Sequence, residues 1–307
     1  MMYVWLIIGF VLLVKGADFF VEGSSSVAKT LRVPSIIIGL TIVAFGTSCP
    51  EAAVSITASL ENKNAMALSN VVGSNIFNLL VVTGFSAAIA GINVDKEILK
   101  RELPLSVIVT AVLLGMCLMG GSIGTIDGLL LLIGFVGFVV YMVVSALKNR
   151  TEAEENVKVL PMWLSLIYIA GGMAAIVFGG DKVVENASAI AREFGLSETL
   201  IGLTIVSMGT SLPELVTSIV AATKNESDLA LGNVVGSNLF NILMVLGAAG
   251  AISPVAVGME SIYDMIILIV LSLGVIVMAW KSKKINPIGG IALLVIYAIY
   301  LAYIILR

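Results

Sequence analysis

Residues 38–51 read IGLTIVAFGTSCPE, and residues 201–214 read IGLTIVSMGTSLPE. A second segment also occurs twice, as NVVGSNIFN at residues 70–78 and as NVVGSNLFN at residues 233–241. One offset of 163 residues separates both pairs of copies, because 214 − 51 and 241 − 78 are equal. The chain is therefore predicted to contain two structural repeats that align without an insertion or deletion.

The composition is that of a membrane protein. Of the 307 residues, 59% are hydrophobic and 12% are charged, and the mean hydropathy is +1.10. Soluble domains are typically about 45–50% apolar and about 25% charged. The net charge of −3, without a basic cluster, gives no sign of a nucleic-acid partner. We therefore predict an integral membrane protein whose surroundings are the lipid bilayer.

Ten apolar stretches are long enough for membrane helices, which need about 20 residues each. They lie at about 2–21, 34–59, 66–90, 103–120, 125–147, 160–180, 197–222, 229–251, 262–280 and 286–306. The apolar first 14 residues have no basic region before them and no small-residue cleavage site, so we interpret them as the start of the first helix.

Five predicted helices precede the hydrophilic segment 148–158 and five follow it. An odd number of helices per repeat means that the second repeat enters the membrane from the opposite side. The predicted fold is thus an all-α integral membrane protein with ten transmembrane helices in two inverted five-helix repeats. Its predicted units are residues 1–147, a short cytoplasmic linker at 148–160, and residues 161–307.

The distribution of basic residues predicts the orientation. Twelve Lys and Arg residues of the predicted loops lie on one side of the membrane, whereas Lys63, Lys182, Arg192 and Arg307 lie on the other. The positive-inside rule places the richer side in the cytoplasm. Both termini are then extracytoplasmic, and the expected location is the plasma membrane. Lys15 falls within the first span, where we expect it to extend toward the interface or to pair with Asp18.

Each copy of the first motif carries a glutamate, Glu51 or Glu214, within an apolar run. A carboxylate at membrane depth is costly and usually marks a functional site. The spacing of four residues predicts that Thr47, Glu51 and Ser55 form one polar stripe on a helix, as do their counterparts in the second copy, Thr210, Glu214 and Ser218.

A proline precedes each glutamate. Pro50 and Pro213 cannot donate a backbone hydrogen bond, so the carbonyl groups of Gly46 and Gly209 are expected to be free and the helices to bend there. Backbone opened in this way is tolerated in a membrane where it lines a cavity or contacts protein. The result is a set of carboxylate, carbonyl and hydroxyl oxygens, which suits Ca²⁺ or Na⁺.

The second motif places polar side chains on one helical face. Asn70, Ser74 and Asn78 are spaced by four residues, as are their counterparts, which are Asn233, Ser237 and Asn241. These side chains can supply further neutral oxygens to a cation. Each of them taken alone is also typical of the polar contacts that join membrane helices.

The predicted site has a net charge of −2 and no lysine or arginine in either motif helix. One divalent cation or several monovalent cations can neutralise it. The empty site is too costly to bury, so crossing without a load is penalised, as an exchanger requires. Two further repeated pairs, Asp18/Glu22 and Asp181/Glu185, are expected at the ends of the first helix of each repeat, as caps or vestibule charges.

The cysteines are not expected to take part in this chemistry. Cys49 and Cys117 both lie in apolar runs and are interpreted as packing residues and not as a disulfide. Cys49 corresponds to Leu212 in the second copy, so the site does not require a thiol. The chain has no histidine.

The segments GTSCPE, GTSLPE, SNVVGSNIFN and GNVVGSNLFN resemble the α-repeats of the Ca²⁺/cation antiporter superfamily, in particular its prokaryotic sodium/calcium exchanger branch. The resemblance implies a core of the second, third, seventh and eighth helices. It also implies alternating access, in which the first and sixth helices slide against that core.

The resemblance also implies the ligands. Ca²⁺ would bind Glu51 and Glu214 with the backbone oxygens of Thr47 and Thr210. The implied Na⁺ sites use one further set of residues from each repeat, with Asn78 and Asn241 between them: Ala44, Thr47 and Ser74, and Ser207, Thr210 and Ser237. The candidate set also includes Ser48 and Ser211.

Three departures from the family pattern are visible. Many members have an aspartate where this chain has Asn241, which leaves the number of Na⁺ ions open and argues against K⁺ co-transport. The short linker leaves no room for the Ca²⁺-sensing domain of animal exchangers. Ser207 replaces a family alanine and adds one hydroxyl.

The leading hypothesis is a secondary antiporter that exchanges Na⁺ for Ca²⁺ and extrudes Ca²⁺. The alternatives are an H⁺/Ca²⁺ antiporter, in which the glutamates carry protons, and more remotely a cation channel. The many hydroxyl and amide groups favour Na⁺, because protons do not need them. No enzymatic activity and no permanently bound cofactor are expected, and the functional unit is expected to be a monomer.

Overall fold

The computed structural model describes residues 1–61, 64–148, 159–196, 201, 205 and 207–306, without the side chains of residues 64–66 and 207. This part of the chain contains eight helices that are long and apolar enough to cross a membrane, and a ninth span if one bent pair is counted as a single crossing. The protein is therefore a mainly helical multi-pass membrane protein.

In the first half, α1 spans Met2–Leu31, α2 spans Ser35–Thr47 and α3 spans Cys49–Leu60. Three consecutive stretches, Asn64–Phe77, Asn78–Val82 and Thr83–Ala90, form one continuous helix, α4. Two further helices complete this half, α5 at Ile98–Gly120 and α6 at Thr125–Lys148.

In the second half, α7 spans Met162–Glu193, α8 is the short helix Ser207–Gly209 and α9 spans Leu212–Thr223. The helix α10 spans Ser227–Ile252, α11 spans Met259–Trp280 and α12 spans Pro287–Leu306. Much of the predicted seventh span, 197–222, and most of the predicted linker fall outside the described residues.

Four two-residue strands join the halves. Ile92–Asn93 (β1) pairs antiparallel with Lys284–Ile285 (β4), and Ser122–Ile123 (β2) pairs antiparallel with Val255–Ala256 (β3). The offset of 163 residues converts β1 into β3 and β2 into β4. Each strand of one half therefore pairs with a strand of the other, and the two pairs are equivalent.

The break predicted at the first proline is present. The axes of α2 and α3 differ by 49°, and Ser48 lies between them with Pro50 in the first turn of α3. This changes one prediction, because Thr47 and Glu51 lie on different helices and not on one continuous stripe. Both side chains are nevertheless buried, as is Ser55.

The first helices of the two halves, α1 and α7, pack against each other through glycines. A Cβ atom on Gly9 would lie 2.9 Å from the carbonyl oxygen of Gly179, and a Cβ atom on Gly172 would lie 2.7 Å from that of Gly16. The contacts run in opposite order along the two helices, so α1 and α7 are antiparallel. Glycine allows this close approach because it has no Cβ atom.

Both of these helices continue about ten residues beyond the predicted spans 2–21 and 160–180. In α1 the extension carries Ser24, Ser25 and Ser26, which are buried against the protein and not in contact with lipid. Asp18 and Glu22 are therefore interior residues of the helix, which corrects their predicted position at its end. Asp181 and Glu185 are likewise inside α7.

Ion pairs connect the C-terminal half of α1 to the turn between α9 and α10. Asp18 pairs with Lys224, Lys29 pairs with Glu226 at 3.4 Å, and Ser25 donates a hydrogen bond to Glu226. The partner of Asp18 among the described ion pairs is thus Lys224 and not Lys15. These contacts join one end of α1 to the helices that carry the motifs.

The glycine contact gives a test of the packing. We expect Gly172→Ala to lower the melting temperature of the purified protein, because the new Cβ would lie 2.7 Å from two backbone atoms that cannot rotate away. Overpacking of this kind typically costs about 1–3 kcal/mol. The matched control is Gly171→Ala, where no described atom lies within 4 Å of the new Cβ. Equal melting temperatures for the two variants would contradict the close contact.

Candidate cation-binding site

The two glutamates occupy equivalent positions at the start of a helix. Glu51 is in the first turn of α3 and Glu214 is in the first turn of α9, each directly after its proline. Both side chains are 0% exposed. The positive end of a helix dipole stabilises a carboxylate in the first turn. The sequence thus places each charge where the backbone offsets part of the cost of burial.

A serine from each half donates a hydrogen bond to the glutamate of the other half. The hydroxyl of Ser48 lies 3.0 Å from Oε1 of Glu214, and the hydroxyl of Ser211 lies 2.9 Å from Oε1 of Glu51. A serine before a helix usually caps its own helix, but neither of these side chains does so. These crossed contacts bring the two repeats together at one buried site.

Further polar contacts surround Glu214. The hydroxyl of Thr47 donates to Oδ1 of Asn233 at 3.0 Å and lies 3.4 Å from the hydroxyl of Ser237. Ser237 in turn donates to Oε1 of Glu214 at 3.4 Å. Thr47 therefore extends from the first repeat into the motif of the second.

One amide of each motif supports a serine two helical turns away from the break. The amide nitrogen of Asn70 donates to Ser55 at 3.0 Å, and that of Asn233 donates to Ser218 at 3.0 Å. Asn233 also donates to the backbone oxygen of Glu214 at 3.4 Å. These contacts join the helices of each motif and account for two of the amides that the sequence offered as ligands.

The remaining predicted amides lie where α4 and α10 widen. Asn78 and Asn241 each begin a π-helical stretch, Asn78–Val82 and Asn241–Leu246. Such wide turns are rare and often occur at functional sites. Both side chains are fully buried.

Several oxygen atoms of this cluster have no hydrogen-bond partner. They are Oε2 of Glu51, Oε2 of Glu214, Oδ1 of Asn78, Oδ1 of Asn241 and the hydroxyl of Ser74. A buried polar atom without a partner costs about 1–3 kcal/mol, and more when it is charged. Four of these atoms form two pairs related by the repeat offset. Unpartnered carboxylate and amide oxygens are the ligands that Ca²⁺ and Na⁺ bind.

No basic side chain neutralises the glutamates in the described part of the chain, where the ion pairs all involve other carboxylates. The same residues contain no cluster of three or more His, Cys, Asp or Glu side chains. A cation at this site would therefore be held by two carboxylates and by neutral oxygens.

The other predicted site residues are only partly resolved. Ala44 is buried at the start of the last turn of α2, where Gly236 approaches Leu40 so closely that a Cβ would lie 2.7 Å from its backbone. Thr210 lies half-buried in the turn before α9. The side chain of Ser207 is outside the described residues.

Two residues of the cluster were missed by the sequence analysis. Asn75 and Asn238 are buried and bond to Asn241 and Asn78 across the repeat interface. They fall within the repeated motif, so the repetition itself was a usable signal. The four-residue spacing used to select candidates passes over them.

Comparisons with known proteins agree on one family. Residues 1–144 and 164–306 match the family described as sodium/calcium exchanger protein. The chain is 40% identical to the putative antiporter CaxA of Alkalimonas amylolytica, over 97% of this chain and 96% of that protein. It is 31% identical to the sodium/calcium exchanger MaX1 of Methanosarcina acetivorans, over 96% of each chain.

A solved structure has the same architecture. The sodium-calcium exchanger NCX_Mj, in a crystal soaked with zero Na⁺ and Ca²⁺, superimposes with a TM-score of 0.87 and is 32% identical. The match covers 99% of this chain and 98% of that one. The family and the fold are those of transporters and not of enzymes. The resemblance inferred from the repeated motifs is confirmed, and the chain belongs to the sodium/calcium exchanger family.

Proposed function

We propose that this protein is an antiporter that exchanges Na⁺ for Ca²⁺ and extrudes Ca²⁺ from the cell. The observation that carries the proposal is the set of four unpartnered buried oxygens on Glu51, Glu214, Asn78 and Asn241. Two of the groups are charged and two are neutral, which suits a hard cation of either charge. The names of the relatives MaX1 and NCX_Mj support the choice of ions.

The proposed ligands follow from the geometry. Ca²⁺ would bind the two carboxylates, while Na⁺ ions would also use hydroxyl and backbone oxygens near Thr47, Ser74, Thr210 and Ser237. Ser48 and Ser211 would act by holding the glutamates, since each donates to a carboxylate of the opposite repeat. A hydroxyl donor leaves the second carboxylate oxygen available for the ion.

The exchange mechanism follows from the cost of buried charge. Two carboxylates without a counter-ion are expensive to move through the low-dielectric part of the protein. A load of Ca²⁺ or of Na⁺ lowers that cost, so the loaded forms cross and the empty form does not. This coupling makes one ion gradient drive the movement of the other ion.

We further propose ten spans in two inverted repeats, with both termini outside the plasma membrane. The antiparallel packing of α1 and α7 and the equivalent strand pairs support the inversion. In this arrangement α1 and α7 move as one unit against the motif helices. The ion pairs of Asp18 and Lys29 would hold the cytoplasmic end closed.

The two repeats differ in exposure, which supports an access path from the outside. Asn70 and Gly73 are partly exposed, whereas the equivalent Asn233 and Gly236 are buried. In the proposed orientation the first pair faces the outer half of the membrane. The structure would thus correspond to a state in which ions enter from outside.

The coupling ion is tested by ⁴⁵Ca²⁺ uptake into proteoliposomes at matched voltage. We expect an outward Na⁺ gradient to drive uptake and an outward H⁺ gradient to have no effect, because hydroxyl and amide ligands serve Na⁺ and not protons. Uptake driven only by the H⁺ gradient would contradict the proposal and make the glutamates proton carriers.

The role of the glutamates is tested by Glu51→Gln and Glu214→Gln. We expect Na⁺-driven Ca²⁺ uptake to fall at least about thirtyfold, since the loss of one charge of a buried pair costs about 2–5 kcal/mol. The control is Glu185→Gln, which removes an exposed carboxylate paired with Lys182 and should retain uptake. Monodisperse variants with near-normal uptake would refute this assignment.

The access path is tested by cysteine labelling in a background with Cys49→Leu and Cys117→Ala. We expect a membrane-impermeant thiol reagent added outside to label Asn70→Cys several times faster than Asn233→Cys, because only the first position is partly exposed. Ca²⁺ at saturating concentration should slow the labelling. Equal rates at the two positions would exclude an outward-open path.

A further inference from the structure

Four buried asparagines form a closed network between α4 and α10. They are Asn75, Asn78, Asn238 and Asn241, and none is more than 4% exposed. The repeat offset converts Asn75 into Asn238 and Asn78 into Asn241. Two of them, Asn78 and Asn241, have the unpartnered oxygens described above.

The inner pair of this network is oriented by the backbone. The side-chain nitrogen of Asn75 donates to the backbone oxygen of Asn238 at 3.1 Å, and that of Asn238 donates to the backbone oxygen of Asn75 at 3.3 Å. A backbone carbonyl can only accept a hydrogen bond. Each inner amide must therefore point its nitrogen at the opposite helix, which fixes the position of its own Oδ1.

The inner pair then orients the outer pair. The nitrogen of Asn241 donates to Oδ1 of Asn75 at 3.1 Å, and the nitrogen of Asn78 donates to Oδ1 of Asn238 at 3.2 Å. A rotated outer amide would place two carbonyl oxygens against each other. The oxygens of Asn78 and Asn241 consequently point away from the network and are left without a partner.

We infer that Asn75 and Asn238 are positioning residues that hold the amide oxygens of Asn241 and Asn78 toward the transported cation. The inference rests on the proposed function of the site. It also assigns a specificity role to the inner pair, because each presents an acceptor to its partner. An ionised aspartate at position 78 or 241 has no hydrogen to donate to that acceptor. The inner pair therefore selects neutral amides, and the site keeps two negative charges.

The network predicts a crossed pattern of energetic coupling. Asn75 acts through Asn241 on the other helix, and not through Asn78, which is three residues away on its own helix. Asn238 acts in the same way through Asn78. A double-mutant cycle measures this coupling, since residues that act through one another have non-additive effects.

The experiment measures the apparent dissociation constant for Ca²⁺ of the purified full-length protein by titration calorimetry, with Na⁺ competition as a second readout. We expect Asn75→Ala to weaken Ca²⁺ binding roughly tenfold in the natural sequence, the loss of one charge-assisted contact. The same substitution should have less than about a twofold effect in the Asn241→Ala background, where the amide it positions is already absent. In the Asn78→Ala background the full effect should remain.

The mirror cycle provides the matched control. Asn238→Ala should lose its effect in the Asn78→Ala background and keep it in the Asn241→Ala background. Should the alanine variants fail to remain monodisperse, Asn75→Ser and Asn238→Ser retain a small hydroxyl and allow the same cycle. A general loss of packing would weaken binding to the same extent in all backgrounds.

The outcomes separate the inference from the function on which it rests. Absence of Ca²⁺ binding to the unmodified protein would overturn the proposed function. Normal binding with additive effects in the crossed pairs, or with equal coupling along and across the helices, would overturn only the positioning role. Crossed coupling in both cycles supports it.

Discussion

The burial of two carboxylates without a basic partner is the constraint on which the rest of the site depends. Glu51 and Glu214 gain partial compensation from the first turns of α3 and α9 and from one serine hydroxyl each. These contacts use one oxygen of each carboxylate and leave the other open. The protein thus stabilises the charges enough to fold while keeping an unmet requirement for a cation.

Neither repeat builds the site alone. Ser48 serves the glutamate of the second repeat, Ser211 serves that of the first, and the amide network alternates between α4 and α10. The strands β1 to β4 pair across the halves in the same manner. Each contact has a counterpart at the same offset, so the site lies on the axis that relates the repeats. A shared axial site is what an inverted-repeat transporter requires to face either side in turn.

The sequence predicted the elements that are recorded along the chain. Glu51 stood out as a charge in an apolar run, and Pro50 predicted the break between α2 and α3. The long C-terminal half of α1 was missed, because Ser24–Ser26 reduce the apolar count although protein covers them. Asn75 and Asn238 were missed for a related reason. Helical spacing identifies neighbours on one helix, but a hydrogen bond to the other repeat depends on how the two helices cross.

The lengths of α1 and α7 connect the protein to its lipid surroundings. With 30 and 32 residues and a rise of about 1.5 Å per residue, these helices are each more than about 45 Å long. The hydrocarbon layer is about 30 Å thick, so the joined pair must tilt or extend beyond it. Any movement of the pair changes this hydrophobic mismatch. Lipid chain length therefore acts on the conformational equilibrium as a ligand would, by favouring the tilt that fits the bilayer best.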